Sequence, residues 1–219
     1  MLKGRRFLRA TEDGAVSFCD LFMNAEHTKA LYEAHPIMYG GRKKPLTKSL
    51  MPFGFMCGDG WYWPIYRFSD IVEAINVLVS HFNVWVEITE LKEKFGTCTI
   101  YFFINYRLSF WKRFVNWLLN PIVWLTKNYN IGFGPSEKQM ALMSGLNEIV
   151  EKLVDECEKE CMNYCEDCGL QFGSWNKDKR VATRGWISII CQDCAEKTNR
   201  LYVPYPDLNK DPLAEEQKS

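Results

Sequence analysis

Hydrophobic and polar positions along this 219-residue chain change period several times, and each change predicts an element. From Asp20 to Tyr32 the apolar marks Leu21, Phe22, Ala25, Ala30 and Leu31 suggest a helix. Ser69 then offers an N-cap for a helix running to about Phe82. Ile71, Ile75, Leu78 and Phe82 recur there at helical spacing, with Val72 and Val79 beside them, so that stripe is expected in the core. At Val84 the period drops to two. Val84, Val86 and Ile88 face one way, and Trp85, Glu87 and Thr89 the other. The run resumes in Thr97 to Ile104 after Lys92-Glu93-Lys94-Phe95-Gly96, which predicts an antiparallel hairpin. Ser136 with Gln139 makes a capping-box start for a long amphipathic helix. Its expected buried face is Leu142, Leu146, Ile149, Leu153, Cys157 and Cys161. Beyond it, Ile187 to Ile190 reads as a strand and Ala195 to Tyr202 as a short helix.

That long helix delivers the chain into Cys165 and Cys168, the first of two C-x2-C pairs. The second, Cys191 and Cys194, follows after 22 intervening residues. Two thiolates three positions apart can grip one ion from a tight turn, and two such turns complete the closed tetrahedron of a structural Zn²⁺ site. With all four positions filled by protein, none is open to water or substrate, so the expected cofactor is structural zinc. Gly169 after the first pair suits a turn that aims backbone N–H groups at sulfur. Cys157 and Cys161 are expected as small core residues rather than extra ligands.

The predicted fold class is α+β: a helix plus antiparallel β-hairpin core, with the long amphipathic helix leading into a C-terminal zinc ribbon. Residues 1–50 form a partly helical N-terminal extension, and 51–160 the core with an aromatic insertion at 106–130. Residues 161–206 form the ribbon, and 207–219 a polar tail expected to be flexible.

Composition narrows the function. Apolar residues at 47% and eight tryptophans argue against disorder, and cations equal acids at 27 each, so no global basic field draws nucleic acid. Nine cysteines is an odd count, four sit at metal spacing, and no apolar h-region follows the basic start at Met1. A reducing cytoplasm is therefore expected. The nearest approach to a membrane span is Phe110 to Leu125, interrupted by Lys112, Arg113 and Pro121, and it is too short to cross a bilayer.

Chemistry-bearing residues fall in four groups. Gly58-Asp59-Gly60-Trp61 and the Lys92–Gly96 turn offer a candidate ligand site: Lys92 and Lys94 for phosphate, Asp59 for a ribose hydroxyl and Trp61 to stack on a base. The competing reading keeps both turns structural. Lys177, Lys179, Arg180 and Arg184 could contact nucleic acid or offset the charge of a tetrathiolate. Gly40-Gly41-Arg42-Lys43-Lys44-Pro45 is expected as a solvated basic turn. Trp111, Phe114, Trp117, Leu118 and Trp124, with Phe110 and Leu125, are a candidate partner surface, set against burial inside the fold and against membrane-interface docking. Asp59, Glu87, Glu90 and Glu93 lie near turns and strands without a spacing that separates acid from base. The histidines His27, His35 and His81 are all far from the cysteine pairs, and no phosphate loop, nucleophile elbow or H-E-x-x-H occurs.

Read together, Cys57-Gly58-Asp59-Gly60-Trp61-Tyr62, Lys92-Glu93-Lys94-Phe95-Gly96-Thr97 and the paired C-x2-C module resemble a group of small, largely uncharacterised bacteriophage-encoded proteins. The resemblance covers roughly residues 53–104 and 136–200. It implies a phage origin and a zinc-bearing α+β fold, and it brings no established activity with it; the expected location is the cytoplasm of an infected host. The expected function is a non-catalytic accessory protein that binds a host or phage protein. Nucleic-acid binding through the ribbon and sequestering of a nucleotide or small ligand are the alternatives.

Overall fold

The computed structural model describes residues 22–126, 134–173, 179–183 and 187–205, with the backbone alone at 120–126. Its first helix, α1 (Ala25–Ala34), starts later than the apolar marks suggest. Asn24 caps it, the side-chain oxygen accepting the His27 backbone N–H at 2.8 Å. After three short 3₁₀ turns, the last at Asp59–Trp61, comes α2 (Tyr62–Val79).

Helix α2 corrects two expectations. Ser69 is not its cap but an interior, buried residue, whose hydroxyl donates to the Ile65 carbonyl at 2.7 Å and pairs with Tyr39 Oη at 2.6 Å. Because the helix begins eight residues earlier, its buried face includes Ile65, Phe68, Ser69, Val72 and Asn76, whereas Ile71, Leu78 and Phe82 stand exposed. Asn76 belongs to the core because it acts as a piece of strand. Its amide donates to the Val86 carbonyl at 3.0 Å, and its oxygen accepts the Val86 N–H at 2.7 Å.

The hairpin is present as β1 (Val84–Lys94) and β2 (Thr97–Tyr106), antiparallel and joined by Phe95 and Gly96, both at positive φ. A bulge between Ile88 and Glu90 shifts the inward positions from Val84, Val86 and Ile88 to Leu91 and Glu93. Glu87 is buried despite its outward phase, since Lys44 Nζ reaches its two oxygens at 2.6 and 2.8 Å. The basic turn at 40–45 is thus not merely solvated: Arg42 also donates to the Tyr32 carbonyl at 2.8 Å. Backbone from residues 38–56 covers the free edge of β1, through Ile88 N–H to Met38 O, Leu50 N–H to Thr89 O and Met56 N–H to Leu91 O.

After β2 comes α3 (Phe110–Thr126), then α4 (Glu137–Cys161), which has the expected Ser136/Gln139 capping box. Helix α4 lies over β2 and against α2, which lies over β1. The α4 core face is Leu146, Val150, Val154, Cys157 and Cys161; Ile149 falls one position off it and is exposed. These surfaces, with Leu31, Met38, Tyr39, Phe55 and Trp61, make one hydrophobic core.

A second, three-stranded antiparallel sheet follows, ordered β4-β3-β5, from β3 (Arg180–Thr183), β4 (Ile189–Cys191) and β5 (Tyr202–Pro204). The short helix α5 is Gln192–Lys197, so it opens at the second cysteine pair and ends before Tyr202, which is in a strand. Val181, Ile190 and Ala195 form a small separate core with Cys165 and Cys191. The molecule is α+β, as expected.

Candidate metal centre

Four local choices bring the cysteines together. The chain leaves α4 at Cys161 and forms a tight turn held by Cys165 N–H to Leu170 O at 2.8 Å and Gly169 N–H to Cys165 O at 2.9 Å. Gly169 sits at φ +72°, the left-handed conformation expected of the residue after Cys168. Cys191 ends β4, and Cys194 lies in the first turn of α5. Their Sγ atoms all lie within 4.8 Å of one another, close enough to hold one metal ion. The donor set fits a tetrahedral ion well. Thiolates about 2.3 Å from a central cation stand about 3.8 Å apart, and Cys168 Sγ is 3.8 Å from Cys191 Sγ.

Electrostatics at the site favour a cation. Burial, aided by the neighbouring sulfurs, pushes the Cys165 thiol up to about 12, against hydrogen bonds from the Cys168 and Cys191 N–H groups. Cys194 is raised well above the thiol range by burial and by Cys165 and Cys191. At Cys168 burial is outweighed by the Leu170 N–H and the other thiols, which lower it. Four sulfurs this close cannot all ionise without a positive ion between them. The Cys191 N–H donates to Cys165 Sγ at 3.2 Å, the backbone-to-sulfur bond such sites use.

The cysteine module is fused to the main core through the two turn motifs. Gly60 N–H donates to Glu166 O at 2.7 Å, and Gly58 N–H donates to Glu166 Oε1 at 3.1 Å. A Cβ on Gly60 would meet the Cys165 carbonyl oxygen at 2.0 Å, so the 58–61 turn lies directly on the first pair. On the other side Gly96 rests against Ile187 and Ile189, and Glu93 accepts its N–H at 2.5 Å. Glu166, between Cys165 and Cys168, is buried at this junction. Burial holds its carboxyl at about 7, the Gly58 hydrogen bond opposing and the Glu93 charge adding to the rise. Sequence reasoning missed Glu166; its position between the two cysteines of the first pair was the available signal.

The proposed ligand residues have other partners. The Asp59 carboxylate accepts Asn24 N–H at 3.0 Å, Asn24 Nδ2–H at 2.7 Å and His27 Nδ1–H at 2.8 Å, with the His27 ring stacked on Tyr62 at 3.9 Å. Trp61 is fully buried, which removes the ring face expected to stack on a base. Lys92 donates to Glu90 at 2.6 Å and lies over the Tyr101 ring, while Lys94 is exposed at the hairpin tip beside Phe95. A second histidine–aspartate pair, His35 Nε2–H to Asp70 Oδ1 at 2.8 Å, ties α1 to α2.

Of the basic residues, Lys177 and Arg184 lie outside the described residues. Lys179 pairs with Asp193 at 3.5 Å. Arg180 is not in an open loop but in the central strand of the small sheet. Its guanidinium is half-buried over the Tyr205 ring at 4.2 Å and the Phe172 ring at 5.5 Å, and burial lowers its pKa. The aromatic segment is equally informative. Trp111, Phe114, Trp117 and Leu118 are exposed on α3, which takes no part in the main element packings, so burial inside the fold is overturned for them. The Trp124 side chain lies outside the described atoms.

Four more thiols, Cys57, Cys98, Cys157 and Cys161, are buried in the main core. Burial raises Cys57 and Cys161 well above the ordinary thiol value. They pack as small apolar side chains. Comparison of the chain with protein families, curated proteins and solved structures gave no match.

Proposed function

We propose that this chain is a non-catalytic binding protein, stapled by a structural zinc ion at Cys165, Cys168, Cys191 and Cys194, and phage-encoded as its motifs suggest. It would act on a host or viral protein in the infected cytoplasm. The zinc fills its coordination with sulfur and contributes folding energy rather than chemistry. Asp59, Glu87 and Glu90, the carboxylates nearest the turns, are held by Asn24, Lys44 and Lys92. None is paired with a nucleophile within reach, as a catalytic constellation requires.

One observation carries the protein-binding reading. Most of the stripe whose spacing predicts core lies on the outside of α2, with Ile71 and Leu78 exposed, Leu78 at 71%, Ile75 half-covered between them, and Phe82 exposed just beyond the helix end. Apolar residues at this i, i+4, i+7 repeat are what one helix presents to another. Trp63 and Val77 extend the same exposed side. The occupant best matched is an amphipathic helix of another protein.

Affinity capture with the full chain from infected cells, followed by mass spectrometry, tests this. One protein should be captured by the wild type and lost with Ile71→Asp/Leu78→Asp, while metal analysis still finds one zinc per chain. Identical capture by the double variant rules out the α2 surface, and absence of bound metal rules out the staple.

A further inference from the structure

Helix α3 is built inside out. Over Phe110–Leu119 the half-covered side chains are Lys112, Val115, Asn116 and Leu119, which fall on one arc at the i, i+3, i+4, i+7 repeat. Lys112 and Asn116 both have interaction partners. On the opposite arc Phe110, Trp111, Phe114, Trp117 and Leu118 stand in solvent, Trp111 at 72% and Trp117 at 67%. Their rings stack on one another, Phe110 on Phe114 at 6.5 Å and Phe114 on Trp117 at 6.0 Å, forming a continuous aromatic strip. A helix covering its own domain does the reverse and turns such a strip inward. Both polar residues of the half-covered arc lie opposite the aromatic strip, so the strip's own side suits an apolar medium.

Charge identifies that medium. From residue 94 to residue 136 the chain contains Lys94, Arg107, Lys112, Arg113 and Lys127 and no aspartate or glutamate, although over its full length the two signs balance at 27 each. Arg113 is exposed on the border of the aromatic strip, and Arg107 precedes the helix. A second copy docked face to face would set Arg113 at the strip's border against its own equivalent. Anionic headgroups complement them instead, and tryptophans at the rim of an apolar strip suit the headgroup layer. At 17 residues α3 is shorter than a span, and among the described residues no helix is long and apolar enough to cross a membrane. We infer that α3 is an interfacial anchor that lies flat in an anionic bilayer, with its aromatic strip among the acyl chains and its arginines at the phosphates.

Co-sedimentation of the full-length, zinc-loaded protein with phosphatidylcholine vesicles, with or without about 30% phosphatidylserine, tests the inference. The protein should pellet with the anionic vesicles, and its tryptophan emission should shift to the blue. Trp111→Ser/Trp117→Ser should weaken binding at least about tenfold, and Arg113→Glu or raised salt by a smaller factor. Both positions are exposed, so zinc content and melting temperature should be unchanged. Protein remaining in the supernatant with both vesicle types overturns the anchor. So does concentration-dependent dimerisation in sedimentation velocity that the same double substitution abolishes, since the strip would then be covered by a second copy. Capture of a protein partner through α2 is a separate measurement and stands or falls independently.

Discussion

At position 60 any side chain would place a Cβ 2.0 Å from the Cys165 carbonyl oxygen and 2.4 Å from the Gly169 nitrogen, both backbone atoms of the first cysteine turn. Neither can swing aside as a flexible side chain would. Gly60→Ala is therefore expected to cost about 3 kcal/mol or more by chemical denaturation, and to weaken metal retention in a chelator competition. The neighbouring Glu166 sets a pH dependence. Burial keeps its folded pKa at about 7, above the ordinary 4.5, so folding favours the protonated form. Its contribution is complete below 4.5 and is lost as pH rises through 7. Glu166→Gln stays neutral throughout. In melts the variant should gain on the wild type by about 1–3 kcal/mol between pH 5 and pH 7 and level off above that. A constant difference across that range would contradict the assignment.

Between elements, the contact that fixes α2 on the hairpin is polar. Asn76 binds both backbone groups of Val86 inside the core, so Asn76→Ala leaves a buried N–H and a buried C=O unpaired. A loss of about 2–4 kcal/mol is expected by urea denaturation, with the β1–β2 amides losing hydrogen-exchange protection first. The strands, their turn and the capping box of α4 were legible because each is set by neighbours in sequence: alternation, a glycine turn, Ser136 with Gln139. Where several registers of one helix are all apolar, sequence lost its grip. On α2 and α4 the apolar residues spread around more than one face. Which face is inside depends on where the helix starts and what lies opposite, which misplaced Ser69, Ile71 and Ile149. Aromatic density on α3 was visible in sequence, but its outward orientation was not.

In the whole molecule two cores meet at one seam, where the 58–61 turn, the hairpin tip and the first cysteine pair touch. Loss of the proposed zinc should therefore be felt beyond the small sheet. Removing zinc with a strong chelator is expected to lower the melting temperature by at least about 10 °C. It should also expose the buried thiols Cys57, Cys98, Cys157 and Cys161 to a thiol reagent sooner than in the loaded protein. A chelated sample with an unchanged melt would show that the sulfurs carry no structural ion.

Local spacing determined the four-cysteine cluster, the hairpin and the α+β class, because two C-x2-C turns, an alternating run and a cap are written over a few adjacent residues. Tertiary structure alone decided what the motifs are for. Asp59 and Trp61 are spent on α1 and the core, Glu166 joins the two cores, and the stripes on α2 and α3 point outward. The physical reason is that burial is a property of partners brought from far along the chain, and a sequence pattern records a side chain's chemistry without recording what covers it.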